Sequence, residues 1–245
     1  VWGGLSAVAW TDVVQVIILV LGGILMTGIA LTYVTPGGGI MEGLTHVYNT
    51  VPERFSMILD KGEIITPDGR DAYFDLPGIA VLIGGMWIAN TYYWGFNQYI
   101  IQRTFAAKSL DEAQKGIAFA AFLKLIIPIF VVLPGIIAYV INLDPSTGEL
   151  VKTLPEGFIS QDGKILNDNA APWLIKNYIP VGIKGLILAA LAAAIVSSLA
   201  SMTNSISTIF TMDICRSFSK QEISQKSLIL IGRSAVVGSM LIALI

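Results

Sequence analysis

From Ala9 to Tyr33 the chain runs through apolar residues with one charged side chain, Asp12, and that run restricts what the rest can be. About 20 such residues cross the ~30 Å hydrocarbon core of a bilayer. Four further segments are long and apolar enough: 76–100, 116–141, 181–211 and 228–245. Hydrocarbon offers no partner to backbone N–H and C=O groups, so spans of this length are helices. The reading is an all-α integral membrane protein with about five transmembrane helices and the lipid bilayer as solvent. Composition agrees, with 54% of the 245 residues apolar and 13% charged. A net charge of −2 argues against a basic surface for nucleic acid. The single cysteine, Cys215, leaves no disulfide framework or thiolate metal site within the chain.

Val1 is preceded by no initiator Met, no signal-peptide pattern follows it, and Ile245 falls inside an apolar run, so the chain reads as an internal piece of a longer polypeptide. Its connections sort by charge. Residues 34–75 and 142–180 are long and acidic, whereas 101–115 and 212–227 are short and hold Arg103, Lys108, Lys115, Arg216, Lys220 and Lys226. Basic residues are more than twice as dense in the short connections, which places these in the cytoplasm and the long ones outside. The turn dipeptides Pro36-Gly37, Pro67-Asp68 and Asp162-Gly163 suit irregular external loops. Leu44, Val47, Val51, Phe55 and Ile58 recur at helical spacing and predict a short helix over 43–59, lying on the outer surface.

Four charges remain inside or at the rim of the spans: Asp12, Lys124, Lys184 and Arg233. Lys184 and Arg233 lie near helix ends and can snorkel. Asp12, at the inner start of the first span, either complements the positive end of the helix dipole or lies on an ion path. Lys124 is about nine residues past Lys115, some ~13 Å along a helix axis. That distance strains snorkelling and favours an ammonium facing a polar cavity. Pro128 and Pro134 on the same span free backbone carbonyls, which is tolerated beside protein or water.

The second span carries Gly84-Gly85 and Gly95, and then Asn90, Thr91, Tyr92, Tyr93, Trp94, Asn97 and Gln98 in close succession. A glycine-interrupted, polar membrane helix points to a substrate site, because unwound backbone needs a cavity beside it. Belt aromatics and cross-bundle hydrogen bonds are the alternative for these residues. Residues 190–205 read ALAAAIVSSLASMTNS, a mid-span run of small residues and hydroxyls. Repeats at 190/194/198 and 189/193/197/201 allow close helix packing. Packing explains the alanines; it does not require two adjacent serines. Ala194, Ser197 and Ser198 share a face at i, i+3, i+4, where a carbonyl and two hydroxyl oxygens converge. Neutral oxygens are the ligands a small hard monovalent cation takes, and sodium fits.

Several stretches together resemble the solute:sodium symporters: GGLSA at 3–7, the YW pair and IIQR within 93–103, FLKL at 122–125, and GLILAALAAAIVSSLASMTNSISTIFTMDI at 185–214. Their likeness is to the sodium/glucose cotransporter branch. The resemblance implies a LeuT-like core of ten helices in two inverted repeats, of which this chain looks like core helices five to nine (9–33, 76–100, 116–141, 181–211 and 228–245). It implies a gate tyrosine at Tyr93 with Trp94 beside it, a gate asparagine at Asn90, and a sugar-bonding lysine at Lys124. Sodium ligands are implied at the Ala194 carbonyl and the Ser197 and Ser198 hydroxyls. The remaining ligands would come from other helices of the same transporter.

The resulting expectation is sodium-coupled symport of a hexose, galactose or glucose, by alternating access, in a bacterial inner membrane. Symport of another solute (inositol, proline or a carboxylate) is the nearest alternative, followed by a channel or structural subunit. An intramembrane hydrolase is a further one: a mid-membrane serine needs a base, His46 falls in an external loop, and only a Ser198–Lys124 pair would serve.

Overall fold

The computed structural model describes residues 4–56, 58–66, 69–75, 78–144, 146–148, 167–219 and 222–244. The expected turns at Pro67-Asp68 and Asp162-Gly163, and Leu76-Pro77 at the start of the second span, lie outside the described residues. Helices α1 (Gly4–Val34), α2 (Ile40–Thr50), α3 (Ile79–Ile83), α4 (Gly85–Thr91), α5 (Gln98–Phe105), α6 (Leu110–Val131) and α7 (Leu133–Ile141) are followed by α8 (Ala170–Tyr178), α9 (Val181–Thr208), α10 (Arg216–Phe218) and α11 (Gln225–Ile242). Two stretches, Tyr92–Phe96 and Ile209–Cys215, are wound as π-helix.

Among the described residues, four helical stretches are long and apolar enough to cross a membrane: Ala7–Val34, Leu110–Ile141, Val181–Phe218 and Gln225–Ile242. A fifth results if the segments that meet at Gly84, bent by 80°, count as one span. The protein is therefore a multi-pass membrane protein. The bend has a local cause. Gly84 sits at φ −99°, ψ −88°, outside the helical region, and glycine lowers the cost of leaving it.

The described chain divides into two compact groups of residues. In the first, residues 18–89 and 121–189, the core gathers Ala30, Leu31, Val47, Val51, Ile137, Ala138, Ala170, Trp173 and Leu174 from α1, α2 and the C-cap that follows it, α7 and α8. Arg54 lies 3.7 Å above the Tyr139 ring, a cation–π contact on the same surface. The helix expected over 43–59 is shorter and starts earlier: α2 ends at Thr50, and Pro52–Phe55 forms one 3₁₀ turn. Pro52 is the reason, since the residue before a proline is pushed out of helical geometry, and Val51 has φ −139°, ψ 60°. Its apolar face is covered, with Val47 fully buried.

Helix α8 lies in a stretch read from sequence as loop. Ala170, Trp173 and Leu174 face one way at i, i+3, i+4 and are buried. Tyr178 closes the helix against Trp173 and Tyr33, and burial raises its hydroxyl pKa. Lys184, expected to snorkel, donates from Nζ to the Lys176 carbonyl at 2.8 Å, so it satisfies an orphan acceptor in the last turn of α8.

Where the chain approaches itself most closely, glycine is needed. A Cβ on Gly43 would stand 2.2 Å from the Leu31 carbonyl oxygen, and one on Gly23 would stand 2.6 Å from the Phe130 Cβ. Beside that second crossing, the Thr27 hydroxyl donates to the Gly23 carbonyl at 2.9 Å or to the Ile129 carbonyl at 3.1 Å. Ile129 adjoins Pro128 and precedes the helix break at Val132. A buried threonine thus serves backbone near the interrupted ladder, as hydrocarbon requires.

In the second group, residues 1–17, 90–120 and 190–245, α11 packs on the π-wound stretch 209–215, and Gly232 adjoins Ser207 and Thr211. Helix α11 starts at an N-cap, where the Ser224 hydroxyl oxygen accepts from the Ser227 amide at 3.2 Å.

Candidate functional site

Helix α9 is continuous from Val181 to Thr208, which keeps Ala194, Ser197 and Ser198 within one turn. Ser197 is half-buried and its hydroxyl donates to Asp12 Oδ1. Ser198 is exposed and has no hydrogen-bond partner among the described residues. One turn on, Ser201 is fully buried and donates to the Ser197 carbonyl at 3.0 Å.

Asp12 departs from one of its two sequence readings. It lies eight positions into α1, counted from Gly4, and the dipole effect fades within the first turn. Its carboxylate is held instead by Arg103, with Nη2 2.8 Å from Oδ2 and the Asp12 side chain 12% exposed. By charge Arg103 counts with a cytoplasmic connection; in the structure it belongs to α5 and also donates to the Ser201 hydroxyl. Its neighbour Gln102 donates to the Ser201 carbonyl at 3.1 Å and accepts from Asn204 Nδ2 at 3.0 Å.

Sequence reasoning missed this network because Asp12, Arg103 and Ser201 are far apart in the chain. The available signal was the polar stripe Ser197, Ser201, Asn204 on α9 and the Gln102-Arg103 pair beside an apolar run. Losing Arg103 would leave the Asp12 carboxylate, 12% exposed, without its cationic partner, whereas Arg103 keeps 40% of its side chain accessible, so the cost falls mainly on the carboxylate.

Upstream of α5, the second span leaves α-helical winding at Tyr92. The Asn97 amide bonds to the Tyr92 carbonyl at 3.0 Å, an i to i+5 closure. Single π turns of this sort are frequent at functional sites. Tyr93 and Trp94 lie on this turn, edge to face with ring centroids 5.3 Å apart. The Tyr93 and Tyr99 hydroxyls are 2.9 Å apart, tying the π turn to α5. Asn90 sits one turn before, on α4, with its side chain exposed. Of the expected sugar-site residues, Asn90, Tyr93 and Trp94 therefore fall together. Lys124 is exposed on α6 and belongs to the other group of residues.

A solved structure, the substrate-bound outward-open state of a Na+-coupled sialic acid symporter, matches with TM-score 0.72 and 28% identity over 96% of this chain and 44% of that one. The likeness is in the LeuT-like fold that the sequence motifs imply. A sodium/glucose cotransporter of Vibrio parahaemolyticus is 52% identical over 248 residues, 99% of this chain and 43% of the relative. Sodium/myo-inositol cotransporter 2 of Homo sapiens is 34% identical over 255 residues, 99% of this chain and 36% of that protein. The chain thus spans less than half the length of these relatives. Residues 1–245 match the model of the Sodium:solute symporter family, and with relatives of this identity along its whole length the chain belongs to that family.

Proposed function

We propose that this chain forms part of a sodium-coupled symporter that carries a hexose, galactose or glucose, by alternating access, as core helices five to nine of a longer polypeptide in a bacterial inner membrane. The observation that carries the reading is the hydroxyl face of α9: Ser198 has no protein partner among the described residues, and the Ser197 hydroxyl proton is committed to Asp12. Oxygen lone pairs are thereby left for a cation. An oxygen-only, weakly charged set fits sodium, which must be both held and released. Ala194, Ser197 and Ser198 would supply its ligands from this chain, with Asp12 beside the ion's path.

On the sugar side, Tyr93 would stack on the ring while Asn90 and Lys124 bond hydroxyls. Trp94 would back the gate. The glucose name of the Vibrio relative and its 52% identity favour a hexose over inositol, which the 34% identical human relative is named for. Transport, rather than hydrolysis at Ser198, agrees with the Vibrio and human relatives, both named as cotransporters.

Labelled-galactose uptake into liposomes holding the full-length transporter, with and without a sodium gradient, tests the reading. Uptake should depend on sodium and fall about tenfold in affinity for the Lys124→Ala variant, since an unpaired buried sugar hydroxyl costs about 1–3 kcal/mol. Sodium-independent uptake would point to a facilitator, and myo-inositol uptake without hexose uptake would reject the sugar.

A further inference from the structure

Ser197 is held at both ends by the same guanidinium. Its hydroxyl donates to Asp12, whose other carboxylate oxygen lies 2.8 Å from Arg103 Nη2. Its carbonyl accepts from Ser201, whose hydroxyl accepts in turn from Arg103 Nη2. The four residues close a ring, and Gln102, with Asn204, pins α5 to α9 beside it. A helical serine ordinarily spends its proton on a carbonyl three or four residues back, as Ser201 does here. In Ser197 the proton is diverted to Asp12, and a hydroxyl has one proton and two lone pairs. Fixing the proton fixes where the lone pairs point.

We infer that Arg103 is a positioning residue for sodium: through Asp12 and Ser201 it sets the orientation of the Ser197 hydroxyl, so that the ion site on α9 responds to the place of α5. The inference rests on the symport reading above. Helix α5 begins directly after the π turn that carries Tyr93, and the Tyr93–Tyr99 hydroxyl contact joins the two. A shift of that turn would carry Arg103 with it and release Ser197, which links the substrate gate to the ion without direct contact between them. Such linkage is reciprocal: a gate held in place by sugar would hold the sodium ligand in place as well.

The test is a sodium titration of galactose uptake by the full-length transporter in liposomes, run as a double-mutant cycle on Arg103 and Ser197. Arg103→Gln should raise the half-maximal sodium concentration by about 10- to 100-fold, the usual effect of removing a group that orients a metal ligand. In the Ser197→Ala background it should add less than about twofold, because Arg103 then has no ligand to orient. Arg103→Lys keeps the charge on Asp12 but lacks the planar fork, and should raise the sodium requirement less. If the Gln variant does not fold, the cycle is run with Arg103→Lys, and the same non-additivity is expected. An unchanged titration for Arg103→Gln, or equal factors in both backgrounds, overturns the inference. If the parent itself takes up galactose without sodium, the symport reading falls with it; additive losses in a sodium-dependent parent overturn only the role of Arg103.

Discussion

Ser197 and Ser198 are adjacent in sequence and differ in what their hydroxyls do. Ser197 donates into the Asp12–Arg103 pair, whereas Ser198 is exposed with no partner among the described residues. Removing the Ser198 hydroxyl therefore breaks no hydrogen bond within these residues, and alanine suits a helix interior at least as well as serine. Ser198→Ala should leave the fold intact and raise the sodium concentration for half-maximal uptake, with high sodium restoring the rate. Sugar affinity should fall only through linkage. A sodium titration identical to the parent's would remove Ser198 from the proposed ion site. Ser201 marks the limit of reading such residues from spacing. In the sequence it is one more small residue in a four-residue repeat. In the structure it is fully buried between Arg103, Gln102 and Ser197, so Ser201→Ala disturbs the ring and cannot serve as a neutral control.

The crossing of α2 over α1 depends on Gly43 lacking a side chain, because the atom in the way is backbone. The Leu31 carbonyl oxygen would lie 2.2 Å from an added Cβ, and no rotamer change relieves that. Gly43→Ala should destabilise the protein by about 1–3 kcal/mol, the usual cost of overpacking, and lower its melting temperature in detergent. A melting curve at or above the parent's would mean that α2 does not pack this tightly. Elements like α1, α6 and α9 were legible from sequence because bilayer thickness demands long apolar runs. Helix α8 was not: it has nine residues, and its Ala170, Trp173, Leu174 face is diluted within an acidic stretch. The reach of α2 was not legible from periodicity, because Leu44, Val47, Val51 and Phe55 keep helical spacing through Pro52 while the proline ends the helix at Thr50. The glycines and polar residues of the second span pointed to an interrupted helix, but not to the 80° bend at Gly84 or to the π winding over Tyr92–Phe96. The Asp12–Arg103 pair had no such local signal, since its members are brought together only by tertiary packing.

Orientation in the bilayer follows from where lysine and arginine sit in the short connections, and the structure changes that count without reversing it. Arg103 is engaged with Asp12 and Ser201 on α5, so it is less a loop charge than its position suggests. Lys115 is paired with Asp111 at 2.6 Å and Glu112 at 3.7 Å. The bias that sets topology counts basic residues and is largely indifferent to acidic neighbours, so Lys108 and Lys115 still count, as do Arg216, Lys220 and Lys226 in 212–227. Arg54, Lys61 and Arg70 are spread over the much longer 34–75, so basic residues are sparser there than in the short connections. The expected arrangement puts 101–115 and 212–227 in the cytoplasm and 34–75 outside. It is checked in intact cells with an impermeant thiol reagent, after Cys215→Ser removes the native thiol. Lys61→Cys, on an exposed external turn, should label without permeabilisation. Ala106→Cys, exposed just after α5, should label only once the membrane is opened. That result would place the Arg103 ring toward the cytoplasmic ends of its helices, on the side where the proposed symport would release sodium. Labelling of Ala106→Cys from outside would invert the topology and put the same ring at the entrance instead.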